Sequence, residues 1–289
     1  MCHLSDERHL SQERVIASGN HAPHLWRRAV ATVSIWPVLI QFLARITFGV
    51  AMSMSLTSSR LVTTGFFRVH LLVLLGVSTV TSLALYTHGQ SLGYSQWALT
   101  MAIATVVVSY VGAVAWVYQN QRIGKLMIAT VAALGLSTAL VCTNWEMTNP
   151  WQRGYVTFDL FNSSMVIGLT MTAMFLGHWY LNTPTMQLQP LRRLVLLMAI
   201  ALVLRAIVGS GALVVELQSH SHIMSWWLML GFRWISGILG AGVLAVMTWQ
   251  TLRIPNTQSA TGILYAAVIL TFLGELTSQL LSRDGQFPL

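Results

Sequence analysis

The chain has 289 residues, 55% of them hydrophobic and only 8% charged, with mean hydropathy +0.64. Soluble domains carry about 25% charged residues, so the composition excludes a soluble enzyme and points to a polytopic membrane protein. The net charge of +8 does not require nucleic acid as a partner. The basic residues sit at the ends of apolar stretches, where the lipid bilayer offers anionic headgroups.

Residues 1–33 read as a polar, His-rich, flexible tail rather than as the basic and apolar halves of a signal peptide. Residues 34–283 read as one transmembrane domain, an all-α bundle of about eight helices with short loops, and 284–289 as a short C-terminal tail. A membrane helix needs about 20 apolar residues, and such stretches fall at about 35–57, 63–86, 95–118, 124–143, 161–181, 194–215, 226–250 and 262–282. Arg45 lies near the middle of the first. Arg68 and His70 open the second. The longest connection, NWEMTNPWQRGYVTFDL over 144–160, reads as an interfacial loop with one short helical turn, and it contains Asp159. The fifth span closes on Gly177-His178-Trp179-Tyr180-Leu181-Asn182-Thr183-Pro184, an aromatic belt with a proline stop. Arg205 is central in the sixth span, Arg233 lies a third of the way into the seventh, and Glu275 lies past the middle of the eighth.

Lys and Arg in short loops set orientation. Arg60, Arg122, Lys125, Arg192, Arg193 and Arg253 fall in odd-numbered loops. The even-numbered loops read as carrying Arg153 with Glu146, Asp159 and Glu216. The odd loops are therefore expected in the cytoplasm, with the chain in a bacterial inner membrane. Arg27 and Arg28, ahead of the first span, run against this. Arg45-Ile-Thr-Phe-Gly49 echoes Arg233-Trp-Ile-Ser-Gly237, but chance accounts for a match this short.

On this reading the membrane region holds four cations and one carboxylate. Charged groups in hydrocarbon are costly; they face the bundle interior, pair, and mark functional sites. Glu275 is expected to pair with one of Arg45, Arg205 or Arg233, and the remaining guanidinium forks suit a carboxylate or phosphate. Arg68 is close enough to the cytoplasmic end to snorkel. His70 and His178 come out within about 5 Å of the same depth. Two imidazoles so placed suit a b-type haem, with Arg68 at a propionate, or a quinone. His220 and His222 form a His-x-His pair, which without a third ligand is no metal site. Two cysteines give no CxxC motif, and no Walker A, HExxH, GxSxG or CxxCH motif is present.

Three functions follow as expectations. The first is a membrane subunit of a redox or respiratory assembly, contacting quinone or haem and docking other membrane subunits. The second is a transporter for a small anionic substrate. The third is a non-catalytic scaffold or assembly factor.

Overall fold

The computed structural model describes residues 35–143, 149–183, 186–219, 224–254 and 256–282. The chain divides into two units, Met1–Ile35 and Trp36–Leu289, and the described helices lie in the second. The tails expected at 1–33 and 284–289 lie outside the described residues, as do Glu146, His220 and His222.

Among the described residues eight helices are long and apolar enough to cross a membrane, the all-α bundle that the hydropathy pattern predicts. They are α1 (Trp36–Leu56), α2 (Thr64–His88), α3 (Gln96–Val117), α4 (Gln121–Val141), α5 (Pro150–Asn182), α6 (Gln189–Ser219), α7 (Met224–Arg253) and α8 (Thr257–Leu281). In lipid, a helix satisfies its own backbone, which is why the spans are helical. Short polar caps begin several of them. Ser95, Asn120 and Asn256 each accept a hydrogen bond from a backbone N–H in the first turn of the helix that follows.

The packing forms two rings of four. In the first, α1, α2, α3 and α4 each pack on the next, and α4 closes onto α1. In the second, α5 packs on α6 and α8, and α7 packs on α8 and α6. Helix α1 joins the rings by packing on α5. The centre of the first ring is lined by Ala44, Thr47, Ser78, Thr81, Ala102, Thr105, Gly135 and Thr138, around a cavity of about 10 Å³. It holds no ionisable group. The two segments of the echo fall in different rings, Arg45–Gly49 on α1 and Arg233–Gly237 on α7.

That echo nevertheless has a packing counterpart. One turn beyond Arg45, Gly49 meets the backbone of Gly168 on α5. One turn beyond Arg233, Gly237 meets the backbone of Gly274 on α8. A side-chain carbon at any of these four positions would collide with backbone, so only glycine permits the close approach.

Two boundaries differ from the sequence reading. Helix α5 begins at Pro150, not near 161, because Asn149 caps it by accepting from Trp151 N–H (3.0 Å) and proline suits the first helical turn. Asp159 is therefore a buried helical residue, 2% exposed, rather than a loop residue. Helix α6 runs to Ser219, so Glu216 is also helical and buried. Among the described residues three arginines (Arg45, Arg205, Arg233) and three carboxylates (Asp159, Glu216, Glu275) are buried, which replaces the expected ratio of four to one. Arg68 is exposed, as its place near a helix end suggested.

Helix α7 is not uniform. Between its outer part, Met224–Phe232, and its inner part, Ala241–Arg253, Arg233–Gly240 forms a π-helical segment. Such segments are rare and recur at functional sites.

Candidate functional site

Each helix of the second ring contributes a polar side chain to its interior, and α1 adds Arg45. At about 1.5 Å per residue, Arg45, Asp159 and Arg233 lie about 14 Å from the starts of α1, α5 and α7. Arg205 lies about 21 Å, and Glu275 about 9 Å, from the ends of α6 and α8. These helix ends share one side of the membrane, that of the even-numbered loops, called here the even-loop face.

Arg205 is the hub. Its Nε and Nη2 donate to Glu275 Oε1 (2.8 Å) and Oε2 (2.9 Å), the bidentate fork that arginine makes with a carboxylate. Nη2 also donates to Ser278 Oγ (3.0 Å), and Nη1 pairs with Asp159. On its backbone side, the Asn162 amide, oriented to satisfy both bonds, accepts from Arg205 N–H (2.9 Å) and donates to Ala201 O (3.2 Å). Ser163 Oγ links the second pair by donating to Glu275 Oε2 (2.6 Å) and accepting from Arg45 Nη1 (2.8 Å). Arg45 Nη1 lies 3.9 Å from Asp159 Oδ2. The four ions alternate in sign and share hydrogen bonds, the condition under which buried charges are tolerated.

Arg233 stands apart. It is 2% exposed, and neither Nη1 nor Nη2 has a hydrogen-bond partner. Its guanidinium lies against the bare backbone of Gly209 on α6; a carbon added there would stand 3.0 Å from Nη2. Arg45 and Arg205 contact Asp159 and Glu275, whereas no carboxylate bonds the terminal nitrogens of Arg233. Glu216, the third buried carboxylate, lies two turns from Gly209 towards the even-loop face on the same side of α6.

The α6 face that builds the site is legible in sequence. Met198, Ala201, Leu202, Arg205, Gly209, Ala212 and Glu216 recur at spacings of three and four, and all are buried. An apolar layer lies about one turn nearer the even-loop face, made by Ala212, Leu230 and Leu281 with Tyr155, Leu213, Trp226 and Trp234. Tyr155 fixes part of it by donating to Val208 O (2.7 Å).

The expected pair His70 and His178 lies elsewhere. The start of α2 and the end of α5 do meet, through Trp179 Nε1 donating to Thr63 Oγ1 (2.8 Å). The surroundings of the two imidazoles differ. His70 is 5% exposed, with Nδ1 bonded to Phe66 O (2.6 Å) and the rings of Phe66 (4.2 Å), Phe175 (4.5 Å) and Trp179 (6.4 Å) around it. Three aromatic rings and a backbone carbonyl crowd this imidazole. His178 is exposed and meets Tyr265 OH on α8 at 3.3 Å. Arg68 does not join them in the core. Among the described residues no group of three or more His, Cys, Asp or Glu is placed to hold a metal ion.

Sequence reasoning found Arg45, Arg205, Arg233 and Glu275 and missed Asp159, Ser163, Ser278 and the π-helical segment. The Asn149-Pro150 cap was the available signal for the first. No protein-family model, curated protein or solved structure matches the chain.

Proposed function

We propose that the protein is a membrane carrier that takes a small anion at Arg233, with the Arg45–Asp159–Arg205–Glu275 network as its fixed electrostatic frame. The observation that supports this reading is the buried guanidinium whose two terminal nitrogens lack partners. A buried donor left unmade costs about 1–3 kcal/mol, and more when it is charged. Stability alone does not retain such a group, because an apolar residue of similar volume is neutral or better. An anion that arrives and leaves accounts for it.

The site is occluded, so access needs a moving part. The outer segment of α7, Met224–Phe232, suits that role. Only Leu230 of its nine residues is buried, and Met224, Trp227, Leu228, Met229 and Phe232 are exposed. It packs mainly on α8, whereas the inner segment of α7 packs on α6 as well. The π-helical segment joins the two, and the Gly237–Gly274 contact supplies a pivot on α8. Swinging the outer segment away from α6 would open the apolar layer and expose Arg233 to the even-loop face. The basic residues of the odd loops support that face as the exterior one, in a bacterial inner membrane.

The redox reading has less support. His70 is closed off by aromatic rings, and the exposed His178–Tyr265 pair is the remaining place for a quinone ring.

Transport is tested in proteoliposomes on a solid-supported membrane, offering chloride, nitrate, acetate and sulfate in turn. At least one anion is expected to give a current that Arg233→Met abolishes while the variant stays monodisperse. A current undiminished in Arg233→Met overturns the proposal.

A further inference from the structure

Resting on the assignment of Arg233 as the anion site, the geometry points to a planar monoanion, a small monocarboxylate, as the ligand. Two independent features carry this. The first is charge. Beside Arg233, Arg45 and Arg205 are matched by Asp159 and Glu275, and the third buried carboxylate, Glu216, lies two turns from Gly209 towards the even-loop face, so a single negative charge suffices at the fork and a second would stand unmatched near buried carboxylates. In a low-dielectric interior that distinction is steep, because an uncompensated ion is penalised by several kcal/mol.

The second feature is shape. The unpartnered atoms are Nη1 and Nη2, the terminal edge of the guanidinium. That edge presents two parallel donors in one plane, which match the two oxygens of a carboxylate. A spherical ion can sit between the two donors, but both bonds then bend from the N–H axes, whereas two carboxylate oxygens take one straight bond each. A tetrahedral dianion brings oxygens that this planar edge does not reach.

Gly209 sets the room beside the fork. A methyl group there would stand 3.0 Å from Nη2 and 3.6 Å from Cζ, tight enough to displace the guanidinium. Arg205 shows the same recognition already made within the protein, since its Nε and Nη2 hold both oxygens of Glu275. Arg233 offers the other, terminal edge of its guanidinium one helix away, with the carboxylate to be supplied from outside.

The test uses the full chain in lipid nanodiscs and reads binding by the shift of the thermal midpoint on titration. Acetate, chloride and sulfate are the probes, compared at equal ionic strength. Acetate is expected to bind at least about tenfold more tightly than either of the others, the worth of one charge-assisted hydrogen bond. Arg233→Lys keeps the charge and loses the planar fork, and should weaken acetate about tenfold. Arg233→Met should abolish the response, and Gly209→Ala should reduce it. If chloride or sulfate matches acetate and depends on Arg233, the monocarboxylate assignment falls and the anion site stands. If no probe binds in an Arg233-dependent way to folded protein, the site itself is wrong and both proposals fall with it.

Discussion

Replacing Arg205 and Arg233 one at a time with methionine should give stability changes of opposite character. Both arginines are essentially buried, at 1% and 2% exposure, and methionine resembles the arginine stem in each case. At position 205 the substitution removes two bonds to Glu275, one to Ser278 and the pairing with Asp159. Asp159 and Glu275 then keep contact only with Arg45, 3.9 Å from Asp159 and linked to Glu275 through Ser163, while Arg233 stands nearby without a hydrogen bond from its terminal nitrogens. Breaking a buried ion pair from one side costs about 3–5 kcal/mol. At about 2–4 °C per kcal/mol, the unfolding midpoint of Arg205→Met should fall by about 6–20 °C. At position 233 the substitution removes a charge whose terminal nitrogens bond to nothing. No partner is stranded, so the midpoint should stay within about 2 °C or rise. The assay is thermal unfolding in detergent, followed by the fraction remaining monodisperse, in carboxylate-free buffer. Equal destabilisation at the two positions would refute the reasoning, because it would mean that Arg233 is as well satisfied in the fold as Arg205.

Gly168→Ala places a methyl group against the backbone of Gly49, and it should lower stability by about 1–3 kcal/mol by the same unfolding measurement. Ser163→Ala deletes the hydroxyl that joins Arg45 to Glu275; a loss of about 1–3 kcal/mol is expected, and a double-mutant cycle with Arg45→Met should show coupling. Orientation is checked by cysteine labelling in a Cys2→Ser background, where the remaining native thiol, Cys142, is buried. An impermeant maleimide should label Gln90→Cys in intact cells, and Gln121→Cys only after permeabilisation; the reverse pattern would invert the topology.

Much of the fold was legible because hydropathy reports directly on burial in lipid. Each of the eight apolar stretches contains most of the helix observed. The two boundary errors share a cause. A window that scores apolar residues discards a polar first turn, so the Asn149-Pro150 start of α5 was read as loop and Asp159 went with it. The same bias cut α6 short of Glu216. These two residues, together with the exposure of Arg68, account for the apparent excess of cations, and what the structure leaves is the pair of unbonded terminal nitrogens on Arg233. Matched depth along two helices is all that the sequence offers for pairing His70 with His178. Depth says nothing about azimuth, however, and one imidazole is enclosed by rings while the other faces Tyr265. The π-helical segment had no signal beyond a high density of glycine around it, because no proline marks the break in α7.

The central claim is that the terminal nitrogens of Arg233 receive an anion. Solid-state NMR on protein with ¹⁵N-labelled arginine guanidinium groups, in the presence of ¹³C-carboxyl acetate, measures that contact directly. The account predicts ¹⁵N–¹³C dipolar dephasing in the native chain that disappears in folded Arg233→Met. Dephasing that survives the substitution, or that is absent from the native chain at saturating acetate, would contradict it.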